Sequence, residues 1–176
     1  MFRTLIASAA AVFGSAAALA ELEIGETAPD FSVEGFQAGE PASFTLSEAL
    51  TAGPVVVFFF PAAFTSGCEA QAASFAESIE DFEALGAQVI GITAGNTDQL
   101  AEFSTQHCAS AFPVFAIADG MMGEYEVRLL MRPGWTRRTT YVIDQNSTIA
   151  LTYSELSPYE HVDRSLAALR ALAADE

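Results

Sequence analysis

Residues 54–60 are an unbroken apolar run, Pro54 followed by three valines and three phenylalanines, closed by Pro61. β-Branched and aromatic residues with no polar position describe a strand buried on both faces, which requires a sheet covered by helices. A helical period follows at once. Ala70, Phe75, Ile79, Phe82 and Leu85 recur at three- to five-residue spacing, with Glu77, Glu80, Asp81 and Glu83 between them. This predicts a helix over 66–85, with Gly86 as its C-cap. The alternation then repeats. Residues 89–93 read as a strand, 97–106 as a helix with Asp98 complementing the dipole at its start, 112–118 as a strand and 119–126 as a short helical turn. Residues 139–144 and 149–153 read as a hairpin around Gln145, Asn146 and Ser147. An amphipathic helix over 158–173 turns Val162, Leu166, Leu169 and Leu172 inward. Ahead of the long strand, 31–33 predicts a short edge strand and 46–50 a short helix. The order implies an α/β fold with a mixed central β-sheet flanked by helices. The final hairpin and helix match the tail of a thioredoxin-like fold. Such a pattern suits many activities and identifies none.

The first 20 residues read as a signal peptide: Arg3 near the start, an uncharged apolar stretch over 5–18, and the small-x-small cleavage site Ala18-Leu19-Ala20. The expected division is a leader over 1–20 and one domain over 21–176, exported, in a bacterium to the periplasm. The remaining 156 residues (176 − 20) suit a single core. All 23 acidic residues follow the cut, against six arginines (seven less Arg3), giving 6 − 23 = −17 with no lysine. Such a surface disfavours nucleic acid and anionic membranes, and its field is indifferent to a neutral substrate.

Chemistry concentrates where the buried strand gives way to the helix. Cys68 falls in the first turn of that helix, where free N–H groups and the positive end of the dipole converge. A thiol there is expected to ionise more easily than the unperturbed value of about 8.5. Thr65, three residues earlier, can bring a hydroxyl beside the sulfur, and Gly67 allows close approach to the backbone. The competing reading is a buried cysteine acting as a small hydrophobe.

The pattern Pro61-x-x-x-Thr65-x-x-Cys68, after its apolar strand, resembles the active-site signature of the peroxiredoxins. Gln71 with Ala72, the run Val89-Ile90-Gly91-Ile92-Thr93, and the run from Arg138 to Asp144 resemble the bacterioferritin-comigratory-protein, or peroxiredoxin Q, branch of that AhpC/TSA-like family. The resemblance implies a thiol peroxidase that reduces hydrogen peroxide or organic hydroperoxides. It makes Cys68 the peroxidatic thiolate, oxidised to sulfenic acid. It has Thr65 hydrogen-bond the sulfur and the peroxide, Pro61 shield the sulfur from water, and the amides of Cys68 and Gly67 help bind oxygen. It has Arg138 stabilise the thiolate and polarise the peroxide. Arg137 is a rival, since adjacent strand residues face opposite ways and both faces here carry apolar residues. The alignment of Arg-x-x-x-Val-Ile-Asp selects Arg138.

The branch often carries a resolving cysteine five residues after the first, where this chain has Ala73. Some members of the branch resolve from the neighbouring helix, at whose end Cys108 lies, so the resemblance implies Cys108 as the resolving residue, forming an intrachain Cys68–Cys108 disulfide. The alternative is an inert buried thiol in a one-cysteine enzyme. Either way an external thiol donor, such as a thioredoxin-like protein, must restore the thiol. The resemblance implies no organic cofactor and no metal, and a monomer or homodimer. His107 beside Cys108 could raise its thiolate fraction, but is read as a surface histidine without a role; His161 on the last helix is likewise read as without one. Met121, Met122 and Met131 are expected in the core or a pocket, and Trp135 as a cap or core residue. Two other functions compete. A thiol–disulfide oxidoreductase is disfavoured because Thr65 stands where its first cysteine would be. A non-enzymatic exported domain would hold its cysteines as a structural disulfide.

Overall fold

The computed structural model of the chain describes residues 21–174; the leader expected over 1–20 lies outside them. The elements in order are β1 (Ser32–Gln37), β2 (Glu40–Thr45), α1 (Leu46–Ala49), β3 (Val55–Phe59), α2 (Ser66–Glu77), α3 (Ile79–Ala84), β4 (Gln88–Thr93), α4 (Leu100–Gln106), β5 (Val114–Ala116), α5 (Met121–Glu124), β6 (Thr139–Ile143), β7 (Ile149–Ser154) and α6 (His161–Ala174). The strands form one sheet in the order β2-β1-β5-β4-β3-β6-β7. β3 pairs parallel to β4 and antiparallel to β6, so the predicted apolar strand sits inside the sheet. All five of its residues are buried.

Alternate residues of β3 feed two cores. Val56 and Phe58 face α2, α3, α4 and α6, where Phe58 stacks on Phe75 at 4.4 Å between ring centroids. Val55, Val57 and Phe59 face the other side, against Leu46, Met121, Tyr125 and Tyr141. Each such side chain, fully withdrawn from water, contributes about 1.5–3 kcal/mol before chain entropy is set against it. This two-sided burial holds the carboxyl end of β3 rigid, and the site is built at that end.

The sheet is wider than the sequence reading implied. The strand expected at 31–33 is not an edge: β1 lies between β2 and β5. Its outer partner β2 contains Pro41, which an edge strand tolerates because its missing donor can face outward. The helix expected over 66–85 breaks at Ser78, which leaves the helical region (φ −104, ψ 9) so that α3 restarts with Glu80 and Asp81 in its first turn. Gly86 has φ +70 just past α3, and the Ala87 amide donates to Phe82 O at 3.0 Å, closing the turn as the C-cap reading required. The helix expected over 97–106 begins with a tighter turn at Thr97–Gln99. The strand expected over 112–118 shortens to β5, and the last helix begins at His161 rather than at Pro158.

Candidate active site

The loop between β3 and α2 is held from three directions. Thr136 Oγ1 donates to Phe60 O at 2.6 Å, the Ala63 amide donates to Gly95 O at 3.1 Å, and Asn96 Nδ2 donates to Ala63 O at 2.8 Å. Gly95 permits that approach: a Cβ there would lie 2.5 Å from Ala62 Cβ and 2.6 Å from Pro61 O. Phe64 adopts φ +56, a left-handed conformation unusual for a non-glycine residue. Its ring meets those of Phe103 and His107 edge-on at 5.5 and 5.2 Å. Thr65 then returns to extended geometry as the N-cap residue of α2. Cys68 arrives in the first turn of α2, with 1% of its surface exposed.

Arg138 faces this cysteine from the residue preceding β6. It is almost wholly buried, and its guanidinium makes three contacts. Nη2 donates to Cys68 Sγ at 3.6 Å, Nη1 donates to Gln71 Oε1 at 2.5 Å, and Nε donates to Leu156 O at 2.9 Å. Cys68 and Gln71 are three residues apart, so one helix face presents both to a single planar fork. A Cβ on Gly67 would stand 3.0 Å from Nη2, so this glycine makes room for the arginine, where the sequence reading had it admit substrate. Arg137 points elsewhere, to Glu21 and to Ser154 Oγ. The alignment therefore picked the arginine that reaches the sulfur, a choice that periodicity could not make because all of Thr139–Ile143 is buried.

Other expectations need correction. The Thr65 hydroxyl proton goes to Ala62 O at 3.0 Å rather than to the sulfur, which leaves the hydroxyl oxygen as an acceptor. The Cys68 amide donates to Thr65 O at 2.8 Å and so is not free to bind an oxygen. His161, read as without a role, is fully buried and lies three contacts from the sulfur: its own with Glu155 O, that of Leu156 O with Arg138, and that of Arg138 with Cys68 Sγ. Its place at the inward-facing start of an amphipathic helix was the available signal. Met121 is buried as expected, whereas Met131 is 96% exposed. Trp135 lies under the Arg132 guanidinium, 3.4 Å from its ring centroid, in the loop that leads into Arg138. His107 is not idle: it packs edge-on against Phe64 and at a tilt against Phe103, and lies 3.5 Å from a Glu69 carboxylate oxygen.

Both cysteines are free, buried thiols. Cys108 follows α4, and burial pushes its thiol far above the ordinary range. Glu69 and His107, the residues in contact, are the chain neighbours of Cys68 and Cys108 respectively. Among the described residues no group of three or more His, Cys, Asp and Glu side chains could hold a metal ion.

A buried thiol at the start of a helix, set against an arginine on a thioredoxin-like sheet, defines a protein that works by cysteine redox chemistry. Residues 24–152 match the AhpC/TSA family. The chain is 31% identical to chloroplastic peroxiredoxin Q of Sedum lineare, over 87% of this chain and 81% of that protein. It is 33% identical to its counterpart in Arabidopsis thaliana, over 86% of this chain and 69% of that one. The crystal structure of peroxidoxin BcpB from Mycobacterium tuberculosis superposes with a TM-score of 0.74 at 33% identity, covering 86% of this chain and 98% of that one. The chain belongs to the AhpC/TSA family of thiol peroxidases, the peroxiredoxins.

Proposed function

We propose that Cys68 is the peroxidatic residue and that Arg138, Thr65 and Pro61 serve it. The contact between Arg138 Nη2 and Cys68 Sγ at 3.6 Å carries this reading. The thiolate attacks the terminal oxygen of hydrogen peroxide or an organic hydroperoxide. A sulfur–oxygen bond forms as the oxygen–oxygen bond breaks, and the displaced hydroxide or alkoxide takes a proton and leaves as water or alcohol. Arg138 offsets the thiolate charge and donates toward the oxygen on which charge develops. The Thr65 hydroxyl oxygen accepts from the peroxide, and Pro61 keeps water from the sulfur.

Cys108 resolves the sulfenic acid in this reading. Its sulfur attacks Cys68 Sγ, a disulfide forms and water departs. A bridge requires Cα atoms within about 7 Å and a deprotonated attacking thiol. Burial opposes deprotonation of Cys108, so the first turn of α2 and the end of α4 must open first. An external dithiol, such as a thioredoxin-like protein, then returns two electrons. Residues 1–20 act as a cleaved leader that delivers the domain to the periplasm, and amino-terminal sequencing of the exported protein tests this.

Mixing the reduced mature protein with one equivalent of hydrogen peroxide and counting thiols tests the chemistry. Rapid loss of both thiols, with a trappable sulfenic acid on Cys68 in Cys108→Ser, is the expected result. Loss of the Cys68 thiol alone in both proteins would remove Cys108 from the cycle. Oxidation no faster than that of free cysteine would overturn the assignment of Cys68.

A further inference from the structure

Arg138 takes one of its three contacts from an unexpected source. Leu156 O lies in the largely exposed segment of 155–160 between β7 and α6, which has no regular hydrogen-bonded structure of its own. A mobile acceptor would leave the guanidinium free to swing, so something must hold that carbonyl. His161 is placed to do so. Its Nε2 lies 3.1 Å from Glu155 O, and its Nδ1 lies 2.8 Å from Thr140 Oγ1. A carbonyl oxygen only accepts, so Nε2 carries the proton. Nδ1 is then a bare lone pair that accepts from the Thr140 hydroxyl. The network thus fixes which tautomer the neutral imidazole adopts. Ser165 Oγ donates to His161 O at 2.7 Å, and the Tyr153 ring packs edge-on at 4.8 Å.

Thr140 and Arg138 are two residues apart, on one face of the same extended segment. His161 therefore ties that segment to Glu155, and Arg138 ties it to the next residue, Leu156. The two links close a small ring of contacts with the sulfur-facing guanidinium at one corner. We propose that His161 is a positioning residue for the peroxidatic centre, fixing the Glu155–Leu156 backbone so that Arg138 is aimed at Cys68. This rests on the assignment of Cys68 above.

Burial pushes the His161 imidazole down to about 4, and the positive charge of Arg138 acts in the same direction. The charged and titratable groups around it are Arg138, Tyr153, Glu155 and Glu160, with Arg164 paired to Glu160 on the solvent side. None of these contacts is a buried carboxylate that would hold a second cation. Protonation would reverse the Nδ1 bond to Thr140 and set a buried cation against Arg138, so the device weakens in acid.

The test is the second-order rate of Cys68 oxidation by hydrogen peroxide, measured in single turnover with the mature protein. His161→Leu is expected to slow it about tenfold, since a small misplacement of an orienting group has effects of this size. In an Arg138→Ala background the same change is expected to cost less than about twofold, because contacts that act in series are not additive. His161→Gln retains an amide donor for Glu155 O and is expected to recover most of the rate. It is also expected to show a shallower fall in rate below about pH 5 than the wild type. Equal losses from His161→Leu with and without the Arg138→Ala change, or none in either case, would overturn the proposal. If His161→Leu does not fold, Thr140→Val decides, since it removes only the Nδ1 contact; an unchanged rate there would be fatal. A wild type that fails to react with peroxide would sink the assignment of Cys68, a result distinct from a reactive wild type indifferent to His161.

Discussion

Gln71→Leu separates what stabilises the protein from what activates it. In the structure Gln71 is fully buried, its Oε1 receives Arg138 Nη1, and its Nε2 has no hydrogen-bond partner. Leucine nearly matches its volume and removes both features together. Loss of the acceptor strips a buried guanidinium of a charge-assisted bond, worth about 1.5–3 kcal/mol. Loss of the unpartnered amide relieves a desolvation cost of about 1–3 kcal/mol. The two terms have opposite signs and similar size, so the net change in unfolding free energy is expected to stay within about 1 kcal/mol. Reactivity has no such compensation. Arg138 keeps Leu156 O and Cys68 Sγ but loses the contact that fixes its roll, and oxidation of Cys68 is expected to slow about tenfold. Urea denaturation gives the first quantity and stopped-flow reaction with hydrogen peroxide the second. A stability loss above about 2 kcal/mol would show that the amide nitrogen is satisfied after all. An unchanged rate would show that Gln71 does not orient Arg138.

Gly67→Ala places a methyl 3.0 Å from Arg138 Nη2, and is expected to slow peroxide oxidation several-fold without a matching loss of stability; the same two assays check it. Thr136→Val deletes the buried donor to Phe60 O and is expected to cost about 1–3 kcal/mol in urea unfolding, because the carbonyl is left unpaired. His161 makes stability depend on pH. Its native value is depressed to about 4 against an unfolded value near 6.5, so the unfolded state binds the proton first. The stabilisation is complete above about pH 6.5 and is lost as pH falls toward 4, by about 3 kcal/mol in total. Denaturation series at pH 7 and pH 4 for wild type and His161→Gln check this, and an equal decline in both proteins would refute it.

Much of the site could be read from the chain because its chemistry is local. Pro61, Thr65, Gly67 and Cys68 lie within one loop and one helical turn, so their spacing largely determines their mutual placement. β3 was legible for a related reason: a strand buried on both faces has no polar position to confuse the pattern. The misses are long-range. β2 was invisible because an exposed edge strand carrying Pro41 has neither apolar alternation nor strong strand propensity. Gln71 stood out as a family marker, but its partner lies 67 residues away. His161 binds a hydroxyl and a carbonyl brought together by strand pairing, and Leu156 serves through its backbone, which has no side-chain signature. For Thr65 the sequence suggested a hydroxyl near the sulfur, but only coordinates reveal that Ala62 O takes its proton.

Phe64 sits in a backbone conformation that costs a non-glycine residue about 1–3 kcal/mol. Its ring is wedged against Phe103 and His107, next to Cys108, while its backbone leads directly into the turn that carries Cys68. Unwinding that turn, which resolution by Cys108 would require, would lift the wedge and release the stored strain in the same movement. The helix that presents one thiol and the helix end that hides the other are thus joined by a single latch. In the proposed cycle, with Cys108 as the resolving residue, the latch would be a timer: its opening rate would set how long a sulfenic acid waits for its partner. That interval is also the window in which a second peroxide molecule can reach the sulfur first and carry it to the irreversible sulfinic state.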